Sequence, residues 1–399
     1  MKSLSAIEQL INKGIEISNP QSVEIGKEVC LDRIAGNGVK IFSGSRIFGK
    51  ETLICEGAGI GQEGPAIVVD CYVGPQVKLK GGFFQKAAFL KGASCGLGAH
   101  VRQGTILEEQ ASIAHTVGLK QTILFPYVTL GSLINFCDCL MAGGTGRDNH
   151  SEVGSSYIHF NFTPNQDKAT PSLIGDVPRG VMLNQSPIFL GGQGGLVGPC
   201  RLAYGTVTAA GTVCRKDQLD ENFLVIENGP KSTRLPFKPG GYRNLKRVLD
   251  LNLNYIANLM ALGQWYRHVR SRCIGPDFPG ELATGLSFTL DKAIAERINQ
   301  LEKLKNKVEV DHPKAEGLEN RFCVRWPEIT ARLQELKGYE GSEEPRDRFL
   351  NLVEQGIQRN GRDYLNVIQA LEDDQAAVGS QWLQSIVDHV AATTLQLVL

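Results

Sequence analysis

FFQKAAFLKGASCGLGAHVRQGTILEEQASIAHTVGLKQTIL, residues 83 to 124, carries a period that neither a helix nor an ordinary strand produces. Phe83, Phe89, Cys95, Val101, Leu107, Ile113 and Leu119 fall six apart without a break. Four residues after each comes a small or β-branched residue: Ala87, Ala93, Ala99, Thr105, Ala111, Val117 and Ile123. The pattern returns at Leu190, Leu196, Leu202 and Thr208, followed at the same offset by Gly194, Cys200, Thr206 and Thr212. A helix repeats every 3.6 residues and a strand every two. One large and one small residue per six suits short flat strands turning corners around a narrow interior, with the large residue pointing in. Internal periodicity of this kind marks a solenoid. The expected span is 20–234, with looser units at IGKEVC (25–30), IGQEGP (60–65) and VGPQVK (73–78).

Around this block the composition is unremarkable for a 399-residue chain large enough for two domains. Its 42 basic and 42 acidic residues cancel without long single-sign runs, which argues against nucleic acid or a charged membrane surface as partner. The N-terminal stretch MKSLSAIEQLINKGIEI reads as an amphipathic helix over 1–19, with Leu4, Ile7, Leu10 and Ile11 on one face. It is too polar for a signal peptide or a membrane span. Ten cysteines without a CxxC pair suit small buried residues in a reducing cytoplasm, and no metal site is evident; Cys137 and Cys139 form the nearest pair. Glycine-rich, β-branched sequence gives way near residue 240 to helix-like segments. LPFKPGGYR (235–243) is the expected linker, and an all-α domain is expected over 241–399. Helices are anticipated at about 243–271, 290–308, 326–337, 345–358, 361–373 and 379–397. Within them GQWYRHVRSRC (263–273) reads as a core-facing aromatic with a solvated basic edge, or as a nucleotide or partner contact.

The hexapeptide period resembles that of left-handed parallel β-helices, in which three hexapeptides make one triangular coil. FLGGQGGLVGPCRLAYGTVTAAGTVCRKD (189–217) and HVRQGTILEEQASIAHTVGLKQTIL (100–124), with HFNF and LIGD between them, narrow the likeness. They are similar to the acetyltransferase half of the bifunctional UDP-N-acetylglucosamine pyrophosphorylase/glucosamine-1-phosphate acetyltransferase and to related archaeal sugar-1-phosphate enzymes. The likeness covers residues 95 to 217. It implies a mainly β solenoid, acetyl-CoA as cosubstrate, an amino sugar phosphate or nucleotide sugar as acceptor, and a homotrimer. Only about twenty residues precede the first repeat, so the family's pyrophosphorylase activity is not expected of this sequence.

Carried over residue by residue, the resemblance makes Arg102 (in RQG) and Lys120 (in GLKQT), eighteen apart, a clamp for the sugar phosphate. Two solvated surface charges are the plainer reading. An asparagine-tyrosine pair near the sugar becomes Asn161 and Phe162, losing the phenol hydroxyl. The backbone at Ala210 would face coenzyme A, and a serine near the coenzyme is replaced by Gly192. The family's general base falls on Ser132, which cannot serve near neutral pH without help. His150, eighteen residues on, is the candidate replacement, with His115 and His159 as further histidines of packing or surface character. Extra residues in CLMAGGTGRDNH (139–150) either keep His150 in line or carry it outward on a loop. The glycines there lack the following helix that a phosphate loop needs, so they are expected to let the chain bulge from the solenoid and return. The lost base and the helical appendix leave a second reading, a non-catalytic sugar-nucleotide-binding or scaffold protein.

Overall fold

The computed structural model describes residues 5–227, 244–311 and 316–399, with the isolated positions 229, 232, 234 and 236. Apart from Pro236, the expected linker over 235–243 lies outside the described residues, as does the Leu4 end of the first helix. Between Glu16 and Val225 the chain is the expected parallel β-solenoid. Short strands stack coil upon coil into sheets of 11, 10 and 8 strands, here called the first, second and third faces.

Partners on adjacent coils are eighteen residues apart where the six-residue period is unbroken, as in Ala87↔Thr105 and Ser94↔Ser112. Several coils are a residue shorter, pairing Phe83↔His100, Ile106↔Ile123 and Ile123↔Leu140. Their corners at Lys86, Gln121 and Asp138 lack one residue of the corner at Gln103–Gly104. Corners force the backbone into the left-handed region: Gly49 and Gly104 adopt φ of +89° and +72°, and Asp70, Lys86, Gln121 and Asp138 accept positive φ in the same column. Val68, Phe84, Val101, Leu119 and Phe136 stack inside the second face as a fully buried ladder. From Val101 on this matches the expected large residue of each repeat, but Phe83, the expected first position, turns outward against His100, and Phe84 takes the inward place.

A helix from Ala6 to Asn12 closes the first coil, its start fixed by a capping box between Ser5 and Glu8 and its Leu10 fully buried. At residue 245 the structure turns helical as expected, but several bounds differ. The long helix is Gly280–Asp311, ten residues earlier than anticipated at its start, and Leu318–Val324 is a helix the sequence did not announce. Gly285 and two threonines discourage a helix there on propensity. Packing overrides this: a Cβ on Gly285 would lie 2.1 Å from the Tyr72 ring, so only glycine lets this helix settle on the third face. The last helix starts at Asp373 rather than 379, and Gly379 within it abuts Met182 and Phe349 in the same way.

The helical part lies over the third face. Strands Ala87–Phe89, Thr105–Leu107, Cys139–Met141 and Ser172–Ile174 are buried at every position, whereas Glu152–Val153 or Ile158–Phe160 on the other faces alternate outward and inward. The stretch 263–273 forms part of this seam. Trp265 is core, its indole N–H donating to the Tyr364 hydroxyl at 3.1 Å. Its basic edge is divided: Arg267 is exposed and Arg272 half-buried, whereas Arg270 is 1% exposed, pairs with Glu109 and lies 3.8 Å from the Tyr364 ring centroid. A second buried pair, Arg297 with Asp138 at 2.6 Å, joins the long helix to the corner of the second and third faces.

Candidate functional site

The coils bring most of the residues singled out in the sequence to the edges of the second face. Val101 pairs with Leu119, so Arg102 and Lys120 follow at equivalent places on neighbouring coils, at the end of that face nearest the helices. Cys137 is next in the column, and the Arg102 guanidinium reaches its thiol at 3.8 Å while its Nε is buried without a partner. Two cations on one stacking column, one with an unsatisfied N–H, can engage a phosphate bidentately. Lys120 also faces the long helix. The Glu296 carboxyl, against the effect of burial, is held below the usual carboxylate range by the amides of Gln300 and Asn299 and the charges of Arg297 and Lys120.

Asn161 lies two coils above Gln121 on the same edge, where its amide donates to the Asp138 carboxylate that also binds Arg297. Phe162 is 63% exposed beside it. Asn161 therefore holds a structural carboxylate while fronting the open face.

At the opposite edge, the corner between the first and second faces, the ladder Ser112↔Thr129↔Glu152↔Phe189↔Val207 stacks His115, Ser132, Ser155, Gly192 and Ala210 in one column. The Ser132 hydroxyl and His115 Nδ1 are 2.8 Å apart, and the Ser132 amide donates to the Ser155 hydroxyl at 3.1 Å. Above them the column is smooth. A Cβ on Gly154 would fall 2.4 Å from the Gly192 nitrogen, and one on Gly191 would fall 2.5 Å from the Ala209 carbonyl carbon. Small residues here let the coils close up and leave Gly191, Gly192, Ala209 and Ala210 with no side chain beyond Cβ.

His150 takes the outward course of the two open to it. Residues Gly144–Gly146 and Asn149–His150 form an antiparallel hairpin that bulges from the corner between the third and first faces, as the glycines suggested. The position in register with Ser132 on the next coil is Ser155, because Thr129 pairs with Glu152. The His150 Nδ1–H donates to the Arg147 carbonyl at 2.7 Å, and Nε2 stands 4.0 Å from Glu152. The hairpin in turn is tied down, Arg147 donating to the Gln110 and Tyr127 carbonyls and Gln369 donating to the Thr145 carbonyl. His159 points inward: Nδ1–H donates to the Cys137 carbonyl at 2.6 Å and Nε2 accepts from Ser172 at 2.8 Å. Burial pushes its pKa down to about 4 despite the nearby Asp138, so it is a neutral core residue.

Sequence reasoning passed over the His115–Ser132 contact. The signal was present in the seventeen residues separating them, one short coil, but a histidine in an exposed repeat looked like surface. Among the described residues no group of three His, Cys, Asp or Glu side chains could hold a metal ion, and no helix is long and apolar enough to cross a membrane.

No protein-family model matches the chain. It is similar to the bifunctional protein GlmU of Thermotoga maritima, 26% identical over 211 residues that make up 53% of this chain and 42% of that protein. GlmU of Trichlorobacter lovleyi is 26% identical over 224 residues (56% of this chain, 43% of that one), and GlmU of Nitratidesulfovibrio vulgaris is 26% identical over 237 (57% and 45%). The matched part thus spans less than half the length of these curated relatives. Among solved structures, the polysialic acid O-acetyltransferase OatWY matches with 12% identity and a TM-score of 0.16 over 53% of this chain and 83% of its own, a likeness too slight to bear weight. The chain is a hexapeptide-repeat β-solenoid protein resembling the acetyltransferase half of GlmU.

Proposed function

We propose that this protein is an acyltransferase that acetylates the amine of an amino sugar phosphate or nucleotide sugar, with acetyl-CoA as donor. The observation that carries the reading is the arrangement of two columns on one open face: a cationic pair at one edge, and a histidine-serine pair continuous with Gly192 and Ala210 at the other. Arg102 and Lys120 hold the phosphate, and Asn161 and Phe162 border the sugar. The thioester arm runs past Gly192 and the backbone at Ala210. The acceptor nitrogen forms a bond to the thioester carbonyl carbon as the carbon–sulfur bond breaks. Its proton passes to the Ser132 hydroxyl while the Ser132 proton passes to His115, and the coenzyme thiolate receives a proton in turn. Serine alone is a poor base, but a serine whose hydroxyl lies 2.8 Å from an imidazole nitrogen can relay a proton. On this reading His115, one coil below the family position, replaces the missing histidine. His150, bonded to the carbonyl of Arg147, anchors the hairpin.

Leu97, Leu133, Ile158 and Phe160 are exposed along the second face and its corner, which supports a homotrimer whose neighbouring copies close the site. Ten free thiols support a reducing, cytoplasmic setting.

Coenzyme A release, followed with a thiol reagent, tests the reading with glucosamine 1-phosphate and UDP-linked amino sugars as acceptors. His115→Ala should lower kcat by ~10²–10⁴-fold, as loss of a positioned base does. Lys120→Ala should raise KM for the acceptor, and His150→Ala should leave kcat within a few-fold. No acetyl transfer to any amino sugar phosphate or nucleotide amino sugar would sink the transferase reading and leave the scaffold one.

A further inference from the structure

A cleft of about 1040 Å³ runs between the corner of the second and third faces and the long helix. Its solenoid wall is built from five successive coils, from Gly49 to Gln121, and coils stack roughly 4.8 Å apart, so it is about 19 Å long. The helix wall presents Phe288, Lys292, Ala295 and Asn299, which recur on one face of the helix. Such a volume sits at the top of the range for small-molecule sites and far exceeds what a hexose monophosphate fills.

Three features of its lining point to one kind of occupant. Phe288 is 47% exposed, an aromatic ring open to the cleft, with the Lys292 ammonium 5.1 Å from its centroid. Lys86 on the solenoid wall and Lys292 on the helix wall pair with no carboxylate among the described residues, although Glu28, Glu51, Asp70 and Glu296 also line the cleft. Gln121 is 4% exposed, yet its Oε1 accepts no hydrogen bond, so a buried carbonyl oxygen waits for a donor. A ring for a base to stack on, unpaired ammonium groups for phosphate and, further along, a buried acceptor for a sugar donor together describe a nucleotide sugar. Lys120, which precedes Gln121, stands at the lip of the cleft between it and the open face.

We propose that the cleft binds the nucleotide of the acceptor, making a nucleotide amino sugar rather than a free hexosamine phosphate the substrate. This rests on the transferase reading for what the sugar does, but not for the binding itself. The base stacks on Phe288, the nucleoside-linked phosphate lies between Lys86 and Lys292, and the sugar-linked phosphate reaches Lys120 and Arg102, where the Gln121 carbonyl oxygen accepts from a sugar hydroxyl.

Calorimetric titration of the full chain with UMP, CMP, AMP and GMP, then with UDP-N-acetylglucosamine, tests it. At least one monophosphate should bind saturably, and the matching nucleotide sugar more tightly. Phe288→Ala and Lys292→Glu, both at exposed positions, should each weaken binding by ten-fold or more with unchanged melting temperature. Lys120→Ala should weaken the nucleotide sugar more than the monophosphate. No binding by any nucleotide overturns the proposal, and so does equal affinity in wild type and both variants. Coenzyme A or adenosine 3′,5′-bisphosphate binding that is lost in Phe288→Ala, without any response to the nucleotide sugar, assigns the cleft to the donor and also overturns it. Transfer to glucosamine 1-phosphate without nucleotide binding would remove this proposal and keep the transferase. Nucleotide binding without transfer would do the reverse.

Discussion

Glu108 offers a test of the seam between the helices and the solenoid. It follows the strand Thr105–Leu107, is 1% exposed, and accepts a hydrogen bond from the Tyr266 hydroxyl at 2.5 Å. Burial pushes its carboxyl up to about 7, with Arg270 opposing and Glu109 adding to the rise. An unfolded glutamate releases its proton near 4.5. Between those two values the folded chain keeps a proton that the unfolded chain has lost. The stabilisation is therefore fully present below pH 4.5 and disappears as pH rises through 7. At about 1.4 kcal/mol per pH unit, the wild type forfeits about 3 kcal/mol across this window through Glu108. Glu108→Gln keeps the shape and a carbonyl for Tyr266 but has no proton to lose. Its stability relative to wild type should climb by about 3 kcal/mol between pH 4.5 and 8, read from urea unfolding at stepped pH by the fluorescence of the buried Trp265 and Trp382. An offset common to every pH reports only how the amide packs. A difference flat across pH would refute the burial argument. A variant that loses ground as pH rises would mean that pairing with Arg270 outweighs desolvation.

Two further substitutions probe how the helices are held. Asp138→Asn leaves the Arg297 guanidinium, 2% exposed, without its anion, and should cost about 3–5 kcal/mol in chemical denaturation. Adding Arg297→Met should restore part of that loss; a double variant no better than the single one would deny that the stranded charge is the cause. Gly285→Ala drives a methyl to 2.1 Å from the Tyr72 ring and should cost about 1–3 kcal/mol, less on a Tyr72→Leu background. Equal costs on the two backgrounds would place the strain elsewhere.

The solenoid was legible because its code is local: one large and one small residue per six, with corners that tolerate left-handed backbone. What the sequence withheld were contacts between remote segments. Glu109 and Arg270 are 161 positions apart, and nothing in LEEQ announces a partner. Gly285 looked like a break in a helix, although it is the residue that lets the helix approach Tyr72. One signal was present and unread. The third-face strands AAF, TIL, CLM and SLI carry no charged or large polar residue and are buried throughout, whereas first- and second-face strands such as EV, GLK and IHF alternate in burial. A sheet buried on both sides writes itself in that way, so the sequence already held the fact that one face is covered.

That coverage bears on function. A triangular solenoid has three outer faces, and the helices take the third. Among the described residues, no helix of the C-terminal part covers the first and second faces or the corner between them. Arg102, Lys120, Phe162, Ser132, Gly192 and Ala210 all lie on the second face or its edges, although the sequence chose them by resemblance without knowledge of what the helices would cover. The helical appendix leaves that face bare and meets it only along one edge, where Glu296 approaches Lys120 and the cleft opens. On the proposed transferase reading, the appendix extends the site at the acceptor-phosphate end and leaves the donor's corner untouched. Changes along the helix face of Phe288 and Lys292 should accordingly alter acceptor KM while the KM for acetyl-CoA stays constant. A matching rise in the donor's KM would break the link between the cleft and the acceptor.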